Sequence, residues 1–389
     1  MVKLICDLNI SARGHNASYI QYIVDNVHVK NDDEVYFLFN KSARKIIDIS
    51  NSSVNHNNFY FSESDFGDHT ILEKLKVRDW KIIEYYAHRL KISELFLMDV
   101  NMFEIQIGRR KVPFKISGIL FRPSHRIASS NKKMSGQLRS KVKKYKKYFL
   151  ESFLLRSKSI ENLFILNDNA GVDSLNNIHK THVFKYLSDP IFDYKQSEKS
   201  SETIASAISQ DRIVFLIFGE ISPRKNIKNI LESFTLLDKD IQKKIALLII
   251  GRVPHFFIDT FDELIKRFTT LNPDIELVII KSFVSNSEME YYFSISDISL
   301  LIYADFYGSS GLIGRAAKYN MISLVPNVGL LSELCSQYKL GYPCDPYSVT
   351  DISNKMAVAC NDIAQSKRID GSLFYTEHSP RYFLNILNF

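Results

Sequence analysis

The chain has 389 residues, 45% hydrophobic and 24% charged. That suits a globular protein and exceeds what one ordinary core accommodates, so two domains are expected. Lysine and arginine outnumber the acids, 50 to 43, for a formal charge of +7; the excess favours an anionic partner without choosing between a nucleotide, a phospholipid surface and a nucleic acid. Cys6, Cys335, Cys344 and Cys360 form no C-x-x-C pair and have no histidine at ligand spacing. This argues against a zinc site or disulfide framework and for a reducing cytoplasm. No run of about 18 apolar residues suggests a membrane span.

Residues 1–8, M-V-K-L-I-C-D-L, read as a buried strand, too short and too soon interrupted by Asp7 for a signal peptide. The loop S-A-R-G-H-N (11–16), an amphipathic helix over 17–27 and a strand over 33–40 complete a βαβ opening. Apolar runs at 114–121, 161–167 and 182–187 follow. The polar stretch D-Y-K-Q-S-E-K-S-S-E-T (193–203) reads as an interdomain linker. The pattern then restarts, with strands at 212–219, 244–251, 275–281 and 298–303 and helices at 226–237, 261–268 and 287–296. Such alternation predicts parallel sheets wrapped by helices. Ligands of open parallel sheets bind beyond the carboxyl ends of the strands, so the loops after strands are the places to search.

Two of these loops stand out. In F-G-E-I-S-P-R-K-N (218–226), Gly219 permits close backbone approach, and Arg224 and Lys225 stand just before a helix. Cations there oppose the helix macrodipole, which favours an anionic ligand over two solvated side chains. In Y-G-S-S-G-L-I-G-R-A-A-K (307–318), Gly308, Ser309, Ser310 and Gly311 precede a helix and form an anion-binding nest. The plainer alternative is an ordinary serine N-cap.

In order and separation these loops resemble the nucleotide-sugar domain of family-four retaining glycosyltransferases, which have the GT-B fold. That family has a strand followed by G-R-L-x-x-x-K-G; this chain has G-E-I-S-P-R-K-N (219–226). Lys225 matches the diphosphate-binding lysine, Glu220 replaces the arginine, and Arg224 is placed to compensate. The family's E-G-F-G-x-x-x-x-E-A-M-A segment aligns with Y-G-S-S-G-L-I-G-R-A-A-K, putting Tyr307 and Arg315 in place of its two glutamates. Glu333, in G-L-L-S-E-L (329–334), matches the family's G-G-x-x-E turn or is simply a helix-start acid. The resemblance covers most of residues 212–360.

In the other half the family's first loop contacts the donor phosphate and the acceptor; Arg13, Gly14 and His15 occupy it here, with His15 either an ordinary loop histidine or, from its place after the first strand, a site residue. His125, in F-R-P-S-H-R (121–126), has two readings: part of a solvated basic loop with Arg122 and Arg126, or a contact to sugar or acceptor. The most charged stretch, 131–150, is a basic amphipathic helix. Leu138, Val142, Tyr145 and Phe149 recur at helical spacing, with Lys141, Lys143, Lys144, Lys146 and Lys147 largely on other faces. It suits an anionic bilayer or packs its stripe on its own domain. Nucleic acid is not the expected partner, since no binding motif accompanies the lysines.

The resemblance implies α/β architecture of the GT-B type: two Rossmann-like domains facing each other across a cleft, 1–195 for the acceptor and 205–375 for the nucleotide-sugar donor. The tail 376–389 is expected as a helix packing back on the first domain. The implied activity is metal- and cofactor-independent retaining transfer to a glycan or lipid-linked acceptor, in the cytoplasm or on the inner face of the plasma membrane. Lys225, Arg224 and the 308–311 nest would stabilise the departing diphosphate. The missing glutamates leave two rivals: a nucleotide-sugar-binding protein without transferase activity, and a GT-B-like scaffold at the membrane.

Overall fold

Short uninterrupted apolar runs become parallel strands buried on both faces. In I-A-L-L-I-I (Ile245–Ile250) every residue is buried. Ile245, Leu247 and Ile249 enter one core, and Ala246, Leu248 and Ile250 enter the core on the opposite face. This is the period-two geometry of a strand covered by helices on both sides.

The computed structural model describes all residues except 11–15, 29–32, 63–71, 127–133, 197–207, 210 and 307, and describes only the backbone of 16, 72–76 and 134–140. It divides into two units, Met1–Pro190 with Ser379–Phe389, and Ile191–His378. The division falls at Ile191 because that residue belongs to the second core: its side chain packs with Tyr303, Ile313 and Phe374, and its amide donates to the His378 carbonyl at 2.8 Å. The linker read at 193–203 lies mostly outside the described residues.

The first unit contains β1 (Val2–Asp7), α1 (Asn16–Asn26), β2 (Glu34–Asn40), β3 (Phe59–Ser62), α2 (Leu72–Arg89), β4 (Glu94–Leu97), α3 (Glu104–Arg109), β5 (Lys115–Ile119), α4 (Met134–Leu154), β6 (Ile160–Leu166), α5 (Asn169–His179) and β7 (Phe184–Leu187). Its seven strands are parallel, in the order β3-β2-β1-β4-β5-β6-β7. The tail of the chain, here the last helix (Pro380–Leu387), belongs to this unit. Phe383 packs on Tyr19 at 5.4 Å between ring centroids, and Phe389 meets Phe96 edge-on at 4.9 Å.

The second unit contains β8 (Ile213–Phe218), α6 (Ile227–Phe234), α7 (Lys239–Gln242), β9 (Ile245–Ile250), α8 (Ile258–Leu271), β10 (Glu276–Ile280), α9 (Asn286–Ser294), β11 (Ile298–Leu300), α10 (Gly311–Lys318), β12 (Ile322–Pro326), α11 (Leu330–Gln337), β13 (Gly341–Cys344), α12 (Val349–Ala364) and α13 (Ser372–Glu377). Its six parallel strands run β10-β9-β8-β11-β12-β13. Counted from β8 this is the Rossmann order 3-2-1-4-5-6. The order reverses between β8 and β11, so the loops that leave these two neighbours open the crevice where such sheets bind ligands.

β11 is shorter than the sequence run suggested. It ends at Leu300, and a tight turn from Tyr303 N–H to the Leu301 carbonyl (2.8 Å) carries the chain out of the sheet. Tyr303 is therefore a loop residue beyond the strand. Among the described residues no helix is long and apolar enough to cross a membrane.

Candidate functional site

β8 ends at Phe218, and Gly219 follows with φ +93, a conformation that favours glycine. The neighbouring loop comes very close: a Cβ at Gly251 would lie 2.1 Å from the Gly219 carbonyl oxygen. Glu220, which replaces the family arginine, is exposed and accepts from Arg252 at 2.7 Å. Arg252, not singled out in the sequence, thus offsets the acid where an anion is expected.

The chain next makes a single 3-10 turn, Pro223–Lys225. Lys225 is buried, 3% exposed, and its Nζ donates to the Phe218 carbonyl at 2.5 Å and to the Tyr303 hydroxyl at 3.2 Å. The exposed Arg224 guanidinium stands 5.3 Å from the Tyr303 ring centre and 5.2 Å from that of Phe306. Asn226, left-handed at φ +59, donates from its amide to the Pro346 carbonyl at 2.6 Å and so ties the turn to a neighbouring loop.

The second loop reaches the same place from β11. Ser310 occupies the N-cap position of α10, but its side chain makes no capping hydrogen bond. Its Oγ lies 3.2 Å from the Tyr303 hydroxyl instead. The ordinary-cap alternative for this serine is thereby excluded. Gly308, Ser309 and Gly311 are partly exposed around it, while Tyr307 lies outside the described residues. Lys225 and the Gly308–Gly311 loop are joined through one phenol, that of Tyr303, which sequence reasoning had taken as the end of a strand.

Arg315 does something other than expected. It is buried, and its guanidinium pairs with Glu290 and donates to the Phe192 carbonyl. Glu290 is fully buried, and also accepts from Lys318 at 2.8 Å and from the Tyr319 hydroxyl. A buried carboxylate needs such partners. Arg315, expected at the donor, is held in this internal cluster. Glu333 is exposed in the first turn of α11, behind Gly329 at φ +86.

In the first unit Arg13, Gly14 and His15 lie outside the described residues. His125 follows β5, on the carboxyl side of the sheet. Its side chain is only 9% exposed, with Nε2 2.7 Å from Asp168 Oδ2, so it is not part of a solvated loop. Arg126 grips the same carboxylate with Nε at 2.7 Å and a terminal nitrogen at 2.5 Å. Asp168 also caps α5, accepting from Gly171 N at 2.8 Å. Burial works against its charge, but the hydrogen bonds from Arg126 and His125 outweigh it and hold the carboxyl well below its usual range. An ionised carboxylate only accepts, so Nε2 is the atom that donates to Asp168. His125 Nδ1 is buried with no partner among the described residues. Gly171 makes the arrangement possible: a Cβ there would stand 2.2 Å from His125 Nε2. Asp168, invisible as a site residue in the sequence, is what fixes His125.

The basic helix, α4, runs Met134–Leu154. Of its apolar stripe, the Leu138 side chain lies outside the described ones, and Val142, Tyr145 and Phe149 do not pack on their own unit: they are 59%, 72% and 63% exposed. Lys141, Lys143, Lys144 and Lys146 are exposed beside them, whereas Lys147 pairs with Glu104.

With this geometry in view, residues 198–370 match the family model described as "Glycosyl transferases group 1". The matched stretch lies within the second unit and covers less than half of the chain. Solved structures similar to the whole chain include a sucrose-phosphate synthase from Thermosynechococcus elongatus (TM-score 0.71, 9% identity, covering 100% of this chain and 97% of that one). Anabaena HepE, solved in complex with UDP and glucose, has a TM-score of 0.63 and 12% identity, covering 100% of this chain and 98% of that one. WaaG, a glycosyltransferase involved in lipopolysaccharide biosynthesis, has a TM-score of 0.60 and 12% identity, covering 98% and 95%. At these identities the likeness carries the fold, which is GT-B. No curated protein matches the chain in sequence.

Proposed function

We propose that this protein is a retaining glycosyltransferase that moves a sugar from a nucleotide-sugar donor to a glycan or lipid-linked acceptor in bacterial surface polysaccharide synthesis. The observation that carries the reading is the placement of buried Lys225 and the Ser310 loop, joined through Tyr303, at the switch point of the second sheet. The group 1 domain over these loops supports it. So does the occurrence of UDP and glucose in one structural neighbour and of UDP-2-fluoro glucose in another.

As the bond from sugar to diphosphate breaks, negative charge builds on the leaving oxygens. Lys225, Arg224 and the hydroxyl and N–H groups of Gly308–Gly311 face that charge in a fixed arrangement, which lowers the barrier without a protein nucleophile. No metal or cofactor is required in this scheme; transfer is expected to survive EDTA. On the acceptor side we assign His125, oriented by Asp168, to contact with sugar or acceptor. On the same reading α4 meets an anionic membrane surface, supported by the exposed Val142, Tyr145 and Phe149 among lysines.

One observation favours a second reading. With Tyr307 and Arg315 in place of the family's glutamates, and Arg315 spent on Glu290, the chain would bind a nucleotide sugar without transferring it. Donor turnover by the purified protein with acceptor lipid extract separates the two: release of nucleoside diphosphate supports transfer, and donor binding without release supports the second reading.

A further inference from the structure

We propose that Tyr303 is a positioning residue that passes the charge of Lys225 to the Ser310 hydroxyl and aims that hydroxyl at a phosphate oxygen of the ligand. This rests on the reading of the second unit as a diphosphate site. The first step of the chain of hydrogen bonds has its direction fixed by chemistry. A lysine ammonium only donates, so the Tyr303 oxygen is the acceptor of the 3.2 Å contact with Lys225 Nζ. Its own hydrogen is then free to donate, and Ser310 Oγ stands 3.2 Å away in a contact that either hydroxyl can donate; we take Tyr303 as the donor. Ser310 in turn keeps its hydrogen for a third partner.

That hydrogen emerges at the start of α10, where the first-turn N–H groups have no acceptor inside the helix. Ser310 takes no part in capping them. It also holds φ +54, where a residue other than glycine is uncommon; the backbone alone would prefer glycine, so a side-chain role accounts for serine here. Tyr303 is itself 1% exposed. A hydrogen-bond chain begun by a charged donor in such surroundings is polarised along its length, and its last hydroxyl is a stronger donor than an isolated serine. The relay therefore couples the loops after β8 and β11 in recognising one anion.

The test is calorimetric titration of the full chain with inorganic pyrophosphate, which needs no knowledge of the base. Tyr303→Phe keeps the ring beside Lys225 and Arg224 and removes only the hydroxyl. Ser310→Gly suits the backbone conformation and removes the last donor, so it remains informative if Tyr303→Phe is unstable. Each substitution is expected to weaken binding about tenfold, and the double variant is expected to be no weaker than either single one. Additive losses, or wild-type affinity in Tyr303→Phe, would overturn the relay. Lys225→Ala separates the levels: if it loses pyrophosphate while Tyr303→Phe and Ser310→Gly do not, the relay fails and the site stands. If pyrophosphate fails to bind wild type, or binds Lys225→Ala equally well, the diphosphate reading fails with it.

Discussion

His125 and Asp168 are 43 positions apart in the chain and 2.7 Å apart in the fold, joined through Nε2 and Oδ2. Arg126 holds the other side of the same carboxylate. Asparagine there keeps one acceptor oxygen but removes the charge and presents an NH2 group where a donor of His125 or Arg126 already points. Asp168→Asn should therefore lower unfolding free energy by about 3–5 kcal/mol. Gly171→Ala, whose Cβ would meet His125 Nε2, should cost about 1–3 kcal/mol by overpacking. Chemical denaturation measures both. Because the Asp168 carboxyl lies below its ordinary value in the fold, its contribution is present above about pH 4 and is lost as pH falls below that. The acid limb of stability should be shallower in Asp168→Asn.

Asp79 has the opposite sign. It is 1% exposed in α2, and both carboxylate oxygens are without hydrogen-bond partners among the described residues. Burial raises its carboxyl to about 6, with Arg78 only partly opposing. The folded state favours the neutral acid, so its contribution is present below about pH 4 and is lost as pH rises to about 6. Asp79→Asn should gain up to about 3 kcal/mol above pH 6 and nothing at pH 3.5. Melting curves across that range check it; equal melting temperatures for the two proteins at pH 8 would contradict it.

The exposed stripe of α4 gives a membrane prediction. Val142→Ser/Tyr145→Ser/Phe149→Ser removes three exposed apolar side chains, so folding stability should change by less than about 0.5 kcal/mol per position. Flotation with vesicles containing 30 mol% anionic lipid, roughly the regime of an acidic inner leaflet, should fall steeply. Equal flotation of variant and wild type would remove α4 from the membrane reading.

The sheets were legible because their strands are short apolar runs between polar helices, and such periodicity is local. In the second half the run over 244–251 and the helix over 261–268 appear as β9 and as the interior of α8. β3 (F-Y-F-S), β4 (E-L-F-L) and β13 (G-Y-P-C), of four residues each, were too short to stand out. At the site, Lys225 and the Ser310 loop are nameable from glycines and charges next to helix starts. Tyr303 was not, because I-S-L-L-I-Y looks like a single buried strand until its last residues turn out of the sheet. Asp168 and Arg252 act through partners 43 and 32 positions away, a distance at which sequence pattern carries no signal. The burial of Arg315 was hidden for the same reason: alignment sets it against a family glutamate, while the residue that pairs with its charge, Glu290, sits on another helix.

On the proposed function, Lys225 and its neighbours hold the diphosphate of a nucleotide-sugar donor. Thermal unfolding of wild type and Lys225→Ala with UDP, GDP, ADP, CMP and their common sugar conjugates tests it most directly. A ligand at about 100 times its dissociation constant stabilises the fold by roughly 2.7 kcal/mol. One nucleotide should raise the wild-type melting temperature, and Lys225→Ala should lose most of the rise. A nucleotide that stabilises both proteins equally, or a wild type that none of them stabilises, would contradict it.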